Sequence, residues 1–216
     1  MSNRKKLQKI SIALLVLIVS VFALYWLGDF PSFTSEMAFR RKEKAQLIGP
    51  AQIIDTKDFE HSRYDHMIIG KSDYGYTFFE WNDGSGWDEG VLTYFPKAEN
   101  VTLYCTKYAY ASYLHEEEWL PIFAFTDSPA SDRAKLTLEV ISKGEAATYT
   151  LEADRNESGY FLFSLPTSQL RNLDFWLIQQ LITGEYDYHF LDGSTTAIIE
   201  LFDNNDNLIQ AQTFTK

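Results

Sequence analysis

Residues 10–27 are ISIALLVLIVSVFALYWL, an apolar stretch that contains two serines and no charged residue. At 1.5 Å per residue this stretch would extend about 27 Å as a helix, close to the roughly 30 Å hydrocarbon thickness of a bilayer. The sequence therefore predicts a transmembrane anchor at residues 10–27, and the rest of the chain is interpreted around it.

The charges that flank the anchor predict its orientation. Four basic residues precede it, and the four residues that follow it contain only one acid, Asp29. Because basic residues stay on the cytoplasmic side, we expect residues 1–9 to be a cytoplasmic tail and the C-terminal domain to be extracytoplasmic at the cell membrane. Tyr25 and Trp26 suit the far interface. The basic residues are Arg4, Lys5, Lys6 and Lys9.

A cleaved secretory signal is the alternative interpretation of this segment. Such signals end with small residues before the cleavage site, whereas Tyr25 is bulky and Ala23 lies inside the apolar run. No cysteine lies near the end of the run, which excludes a lipoprotein anchor. The pattern favours a retained single-pass anchor over a cleaved signal.

The charge of the remaining chain limits its partners. Residues 1–27 hold four bases and no acid, so residues 28–216 carry 15 Lys and Arg against 30 Asp and Glu, a net charge near −15. A domain this acidic repels phosphate backbones, so no nucleic-acid partner is expected. Cys105 is the only cysteine, so the fold has no intrachain disulfide, and we expect the thiol to be a buried small apolar group.

Residues 28–50 are predicted to form a juxtamembrane helix and linker. A helix from about 35 to 48 is indicated by hydroxyl residues before it, Glu36 in its first turn and Gly49-Pro50 after it. Two placements remain open: Met37, Phe39 and Leu47 contact lipid headgroups, or the helix packs on the extracytoplasmic domain. The small apolar face favours the second.

Residues 51–115 predict a β-rich subdomain. Alternating and apolar runs suggest an antiparallel sheet of four to five strands, with a glycine-rich, acidic loop at 82–90. The charged run around His115 is taken as the boundary with the next unit. The predicted strands are 51–55, 65–70, 75–81, 91–95 and 101–110.

Residues 116–216 predict six further strands and one inserted helix. The helix, between Pro166 and Gly184, should turn its leucines inward and its polar residues outward. The strands are 120–126, 135–142, 148–152, 160–165, 195–202 and 208–214; the inward residues are Leu170, Leu173, Leu177 and Leu181, and the outward ones Arg171, Gln179 and Gln180. The strand pattern resembles an immunoglobulin-like or fibronectin-type sandwich, which implies a shape and no activity. The chain is thus predicted to be mainly β.

The loop after residue 81 holds the strongest candidate ligand site. Aromatic rings stack on sugar faces and nearby acids bind hydroxyl groups, so a glycan site is one interpretation, and a solvated structural loop is the other. An acid pair such as Asp83 and Asp88 would also fit a glycosidase, but sequence does not give their separation. The candidate ligand-binding residues are Trp81, Asp83, Trp87, Asp88 and Glu89.

Metal and cofactor motifs are weak. Residues 203–207, DNNDN, begin like a calcium loop, but Leu208 and Phe214 replace its glycine and glutamate, so a hairpin turn is favoured. The four histidines are scattered, and no zinc-protease, nucleophile-elbow, phosphate-loop or dinucleotide motif occurs. No catalytic residue, metal ligand or cofactor is predicted.

Together these patterns predict a non-enzymatic binding module at the cell envelope, held to the membrane by residues 10–27. Its expected partner is another envelope protein or a glycan. A carbohydrate-binding or glycan-processing module is the first alternative, and an accessory subunit of a membrane complex is the second.

Overall fold

The structure is a computed structural model that describes residues 3–26, 32–59, 66–84, 86–97, 100–105, 119–183 and 193–216. The described part contains three α-helices and eleven strands. The helices are α1 (Asn3–Trp26), α2 (Ser35–Ala45) and α3 (Asn172–Thr183). The strands are β1 (Gln52–Asp58), β2 (His66–Lys71), β3 (Gly75–Trp81), β4 (Val91–Pro96), β5 (Val101–Cys105), β6 (Trp119–Thr126), β7 (Arg133–Ser142), β8 (Glu145–Asp154), β9 (Tyr160–Pro166), β10 (Gly193–Phe202) and β11 (Leu208–Thr215).

Helix α1 is the apolar N-terminal helix that the sequence predicts. The described side chains at 6–23 are all exposed, so this helix packs against no other part of the described chain. Its window Lys6–Ala23 is long and apolar enough to cross a membrane. The length and composition of α1 therefore agree with an anchor.

The strands form three antiparallel sheets, which confirms a mainly β chain. The first sheet has the order β1-β2-β3-β4, the second β5-β6-β9 and the third β11-β10-β7-β8. The predicted placement of strand 101–110 in the first sheet is wrong, because β5 pairs with β6 from Val101 opposite Thr126 to Cys105 opposite Ile122. The domain division at 115 stays a prediction, although these two strands pair across it.

The second sheet is buried on both faces and joins the other two. Side chains alternate across β6, so Ile122 and Ala124 enter a core shared with the third sheet, while Phe123 and Phe125 enter a core shared with the first. Cys105 is buried in the former core, as predicted, and burial raises the pKa of its thiol. The sheets therefore stack as three layers, with a core on each side of the middle one.

Helix α2 covers the outer face of the first sheet. Thr34 caps the helix by accepting a hydrogen bond from the Met37 amide, and Phe39 is buried in a third core with residues of β2, β3 and β4. Glu43, also buried, accepts from the Ala51 amide (2.9 Å) and pairs with Arg40 (2.8 Å). The helix therefore packs on the domain, and Phe39 is not a lipid contact.

The predicted inserted helix is present, but the prediction of which residues it buries is partly wrong. A 3₁₀ turn at Thr167–Gln169 precedes α3, which begins only at Asn172. The fully or nearly buried apolar residues of α3 are Phe175, Leu177, Ile178 and Ile182, whereas Gln179, predicted to face outward, is buried. The buried stripe shifts because Asp174, in the first turn, points inward to hydroxyl groups on β7 and β8.

Candidate functional site

The loop that the sequence predicts as a ligand site holds Ser32, six residues beyond the end of α1. Trp87 and Asp88 lie in a 3₁₀ turn, Trp87–Glu89. The indole Nε1 of Trp87 donates to the carbonyl oxygen of Ser32 (2.7 Å), and Asp88 accepts from the Ser32 amide (2.9 and 3.2 Å). We call these three residues the clasp. The Asp88 carboxylate, which the sequence suggests for binding a sugar hydroxyl, thus accepts the Ser32 amide instead.

The two candidate tryptophans do not form a shared aromatic surface on which a sugar could stack. Trp81 is buried in the core under α2, while Trp87 is 36% exposed. Asp83 and Glu89 are exposed. The loop therefore presents one partly open ring rather than two, and the role of Trp81, Asp83, Trp87, Asp88 and Glu89 in ligand binding stays a prediction.

A histidine bridged by two carboxylates stands beside this loop. His66 Nδ1 lies 2.7 Å from Asp58 Oδ1, and His66 Nε2 lies 2.8 Å from Asp83 Oδ1. Its ring stacks on Trp81 with centroids 5.2 Å apart. The hydrogen bond to Asp58 is the main cause that raises the pKa of His66 above its ordinary value, and Asp83 adds to it.

Strand register explains why sequence reasoning missed this cluster. Asp58 lies opposite His66, and His66 lies opposite Trp81, so three strands place these side chains in one row. Individually, His66 and Asp58 carry no motif. Pairing the predicted strands in register would have been the only signal for the cluster.

The cluster predicts a pH-dependent contribution to stability. Because the pKa of His66 is raised in the folded state, its contribution is fully present below the ordinary pKa of 6.5 and is lost as the pH rises through the folded pKa. Asp58 and Asp83 are 81% and 84% exposed, so solvent screening limits the contribution to below about 1 kcal/mol. We expect His66→Gln to destabilise the protein at about pH 5.5 and to have little effect at about pH 8.5, measured by urea unfolding. An equal loss at both pH values would contradict this.

An open groove lies at the opposite end of the first sheet. Its lining includes the apolar and aromatic residues Leu47, Ile48, Pro50, Tyr74 and Tyr94 as well as the charged residues Lys71 and Asp73, and its volume is about 720 Å³. The seven residues of β3 separate the turn before Gly75 from the loop after Trp81, about 20 Å at 3.4 Å per residue. The groove and the clasp therefore occupy opposite ends of the sheet.

Leu47 is the most unusual residue of the groove. It follows α2 with a φ of 56°, a left-handed conformation that favours glycine, while the Ile48 amide closes the helix on the Glu43 carbonyl (2.9 Å). Its side chain is 93% exposed. Both its backbone conformation and its exposure make leucine an unfavourable residue for stability at this position.

The calcium-like run forms the turn of a hairpin. Asp203 accepts from the amides of Asn205 (2.8 Å) and Asn207 (2.9 Å), and β10 and β11 pair on either side of the turn, so the hairpin prediction is confirmed. Among the described residues, no group of three or more His, Cys, Asp or Glu side chains is arranged to hold a metal ion.

Comparison with known proteins adds no family: no protein-family model matches the chain, and no curated protein matches it.

Proposed function

We propose that this chain is a single-pass membrane protein whose extracytoplasmic domain is a non-enzymatic binding module of the cell envelope. The observation that carries the proposal is α1, whose apolar side chains are exposed and find no protein partner in the described chain. Such a surface is unfavourable in water and is stabilised in lipid. The basic residues before it favour a cytoplasmic N-terminus.

The clasp limits how far the domain can lie from the membrane. Ser32 follows the last residue of α1, Trp26, by six residues, which span at most about 20 Å. An anchor in the bilayer would therefore keep the clasp end of the first sheet near the membrane surface. The groove, at the other end of β3, would then face away from the membrane.

We further propose that the second and third sheets form an immunoglobulin-like or fibronectin-type sandwich. When β5, β6, β7, β9, β10 and β11 are labelled A, B, C, E, F and G, strands A, B and E form one sheet and G, F and C belong to the other. β8 lies beside C, in the position that an added C′ strand takes in this architecture. The shared core between the two sheets also supports this assignment.

The groove is the surface that we propose for binding, and an apolar segment of an envelope protein is the proposed partner. Small-molecule sites bury most of their ligand in a concave pocket, whereas Leu47 and Tyr74 are 93% and 80% exposed and project from an open surface. Exposed leucine and tyrosine side chains that contribute little to folding fit a protein interface better.

One variant tests the groove through two readouts. Leu47→Gly relieves the left-handed backbone, so we expect the free energy of unfolding to rise by about 1 kcal/mol. It also removes the exposed side chain, so a photocrosslinker placed at Tyr74 should give a weaker specific adduct in intact membranes. A crosslinker at Ile141, an exposed residue of β7, is the matched control. The binding proposal is wrong if Tyr74 gives no more adduct than Ile141, or if Leu47→Gly leaves the adduct unchanged.

A further inference from the structure

We propose that the free edge of β11 pairs with the same edge of a second copy of this chain, in an antiparallel arrangement that joins two third sheets into one. β11 is the last strand of its sheet, in the order β11-β10-β7-β8. Alternate residues from Ile209 to Thr215 are exposed, so one face of the strand meets solvent, and no strand of the described chain pairs with its outer edge.

The hydrogen bonds to β10 fix which backbone groups point outward. Thr195 and Lys216 exchange both backbone hydrogen bonds (3.0 Å each). Because hydrogen-bonded pairs alternate along an antiparallel ladder, the backbone amides and carbonyls of Phe214, Gln212 and Gln210 also point toward β10. The amides and carbonyls of Ala211, Thr213 and Thr215 consequently point away from the sheet. A bulge near Leu208 interrupts the ladder only at its start.

β11 lacks two features that normally protect an exposed edge, which are charged residues and proline. Its sequence, LIQAQTFT, contains no charged residue and no proline. At the opposite edge of the same sheet, β8 carries Glu145, Glu152 and Asp154. In the first sheet, the edge strand β1 carries three charges and β4 ends at Pro96. Of these exposed edges, β11 is the one that a further strand can join without meeting a charge or proline.

A second copy fits this edge because the outward groups are self-complementary. With Thr213 opposite Thr213 of the second copy, Ala211 lies opposite Thr215 on both sides of a twofold axis, and about six backbone hydrogen bonds form. The chain beyond residue 27 is strongly acidic, so two copies repel each other, and this repulsion is smallest where the contacting surfaces carry no charge. The uncharged strand is such a surface.

Oligomeric state and one proline variant test the proposal. We expect the full chain in detergent to be a dimer by light scattering. Thr213→Pro removes an amide that points outward, so the pairing of β10 with β11 is kept. Two intermolecular hydrogen bonds are lost, one from each copy, so the dissociation constant of the dimer should rise at least about tenfold. Thr150→Pro is the control, and the dimer should persist in it. Arg155 donates to Asp132 at the end of the ladder between β7 and β8, and the alternation along this ladder directs the amide of Thr150 away from the sheet.

A cysteine at the twofold axis gives an independent measurement. Opposed residues of this kind have Cα atoms about 5.5 Å apart, a separation that a disulfide spans. Oxidised Thr213→Cys should therefore migrate as a reducible covalent dimer, and Thr150→Cys should remain a monomer. Buried Cys105 contributes no background. A monomeric wild-type chain, equal effects of the two prolines, or no crosslink at 213 would each overturn the proposal.

Discussion

Asp174→Ala should lower the free energy of unfolding by about 2–4 kcal/mol, because it leaves buried polar groups without their shared acceptor. Asp174 is fully buried at the start of α3. Its carboxylate accepts from Ser142 Oγ (2.9 Å), Tyr149 Oη (2.5 Å) and Arg171 Nε (2.7 Å). These bonds tie α3 to β7 and β8, so the variant should also loosen the helix.

A matched variant separates this network from its exposed neighbour. Glu145 also accepts from Arg171 (3.2 Å), but its side chain is exposed, so Glu145→Ala should change stability by less than about 0.5 kcal/mol. Urea unfolding of the full chain in detergent measures both variants. Burial and the hydrogen bond to Asp174 raise the pKa of Tyr149 to about 12, so that pKa should fall in Asp174→Ala. Equal stability losses in the two variants would contradict the assigned role of Asp174.

Phe123→Ala should cost about 3–5 kcal/mol, since it opens a cavity in the core between the first and second sheets. Phe123 is fully buried, and its ring centroid lies 5.7 Å from Tyr160, 5.9 Å from Phe78 and 6.3 Å from Phe59. The ring thus connects strands of both sheets. Loss of the ring should therefore weaken the packing of the first sheet against the second.

Tyr74→Ala is the control for the aromatic truncation, because the Tyr74 side chain is 80% exposed and its removal should change the free energy of unfolding by no more than about 0.5 kcal/mol. Urea unfolding followed by tryptophan fluorescence compares the two variants. A loss below about 1 kcal/mol for Phe123→Ala would show that the ring does not join the two layers.

Local sequence patterns were sufficient to predict several elements of the fold. In β7, Leu136, Leu138 and Val140 alternate with polar residues, and the strand buries that face against the second sheet. The polar pentapeptide before Leu208 forms the expected turn because Asp203 binds backbone amides only two and four residues away. In both cases the decisive interaction lies within a few residues or follows a period of two.

Long-range contacts were beyond the reach of the same reasoning. The clasp joins Ser32 to residues 55 and 56 positions away, and β5 finds its partner beyond residue 118. Neither pairing leaves a local pattern, because it depends on which sheets stack. The same limit applied to the candidate site: the residue types around Trp87 suit a sugar, but their hydrogen bonds to Ser32 follow from how α2 packs on the first sheet.

The most direct test of the central claim is labelling of engineered cysteines with a membrane-impermeant maleimide in intact cells. Buried Cys105 makes the wild-type chain a suitable background. A cysteine at Glu139, exposed on β7, should be labelled without permeabilisation, and one at Ser2 only after it, while both proteins stay in the membrane fraction after carbonate washing. Release of the intact chain by carbonate, or labelling of position 2 but not of position 139 in intact cells, would contradict a membrane-anchored extracytoplasmic domain.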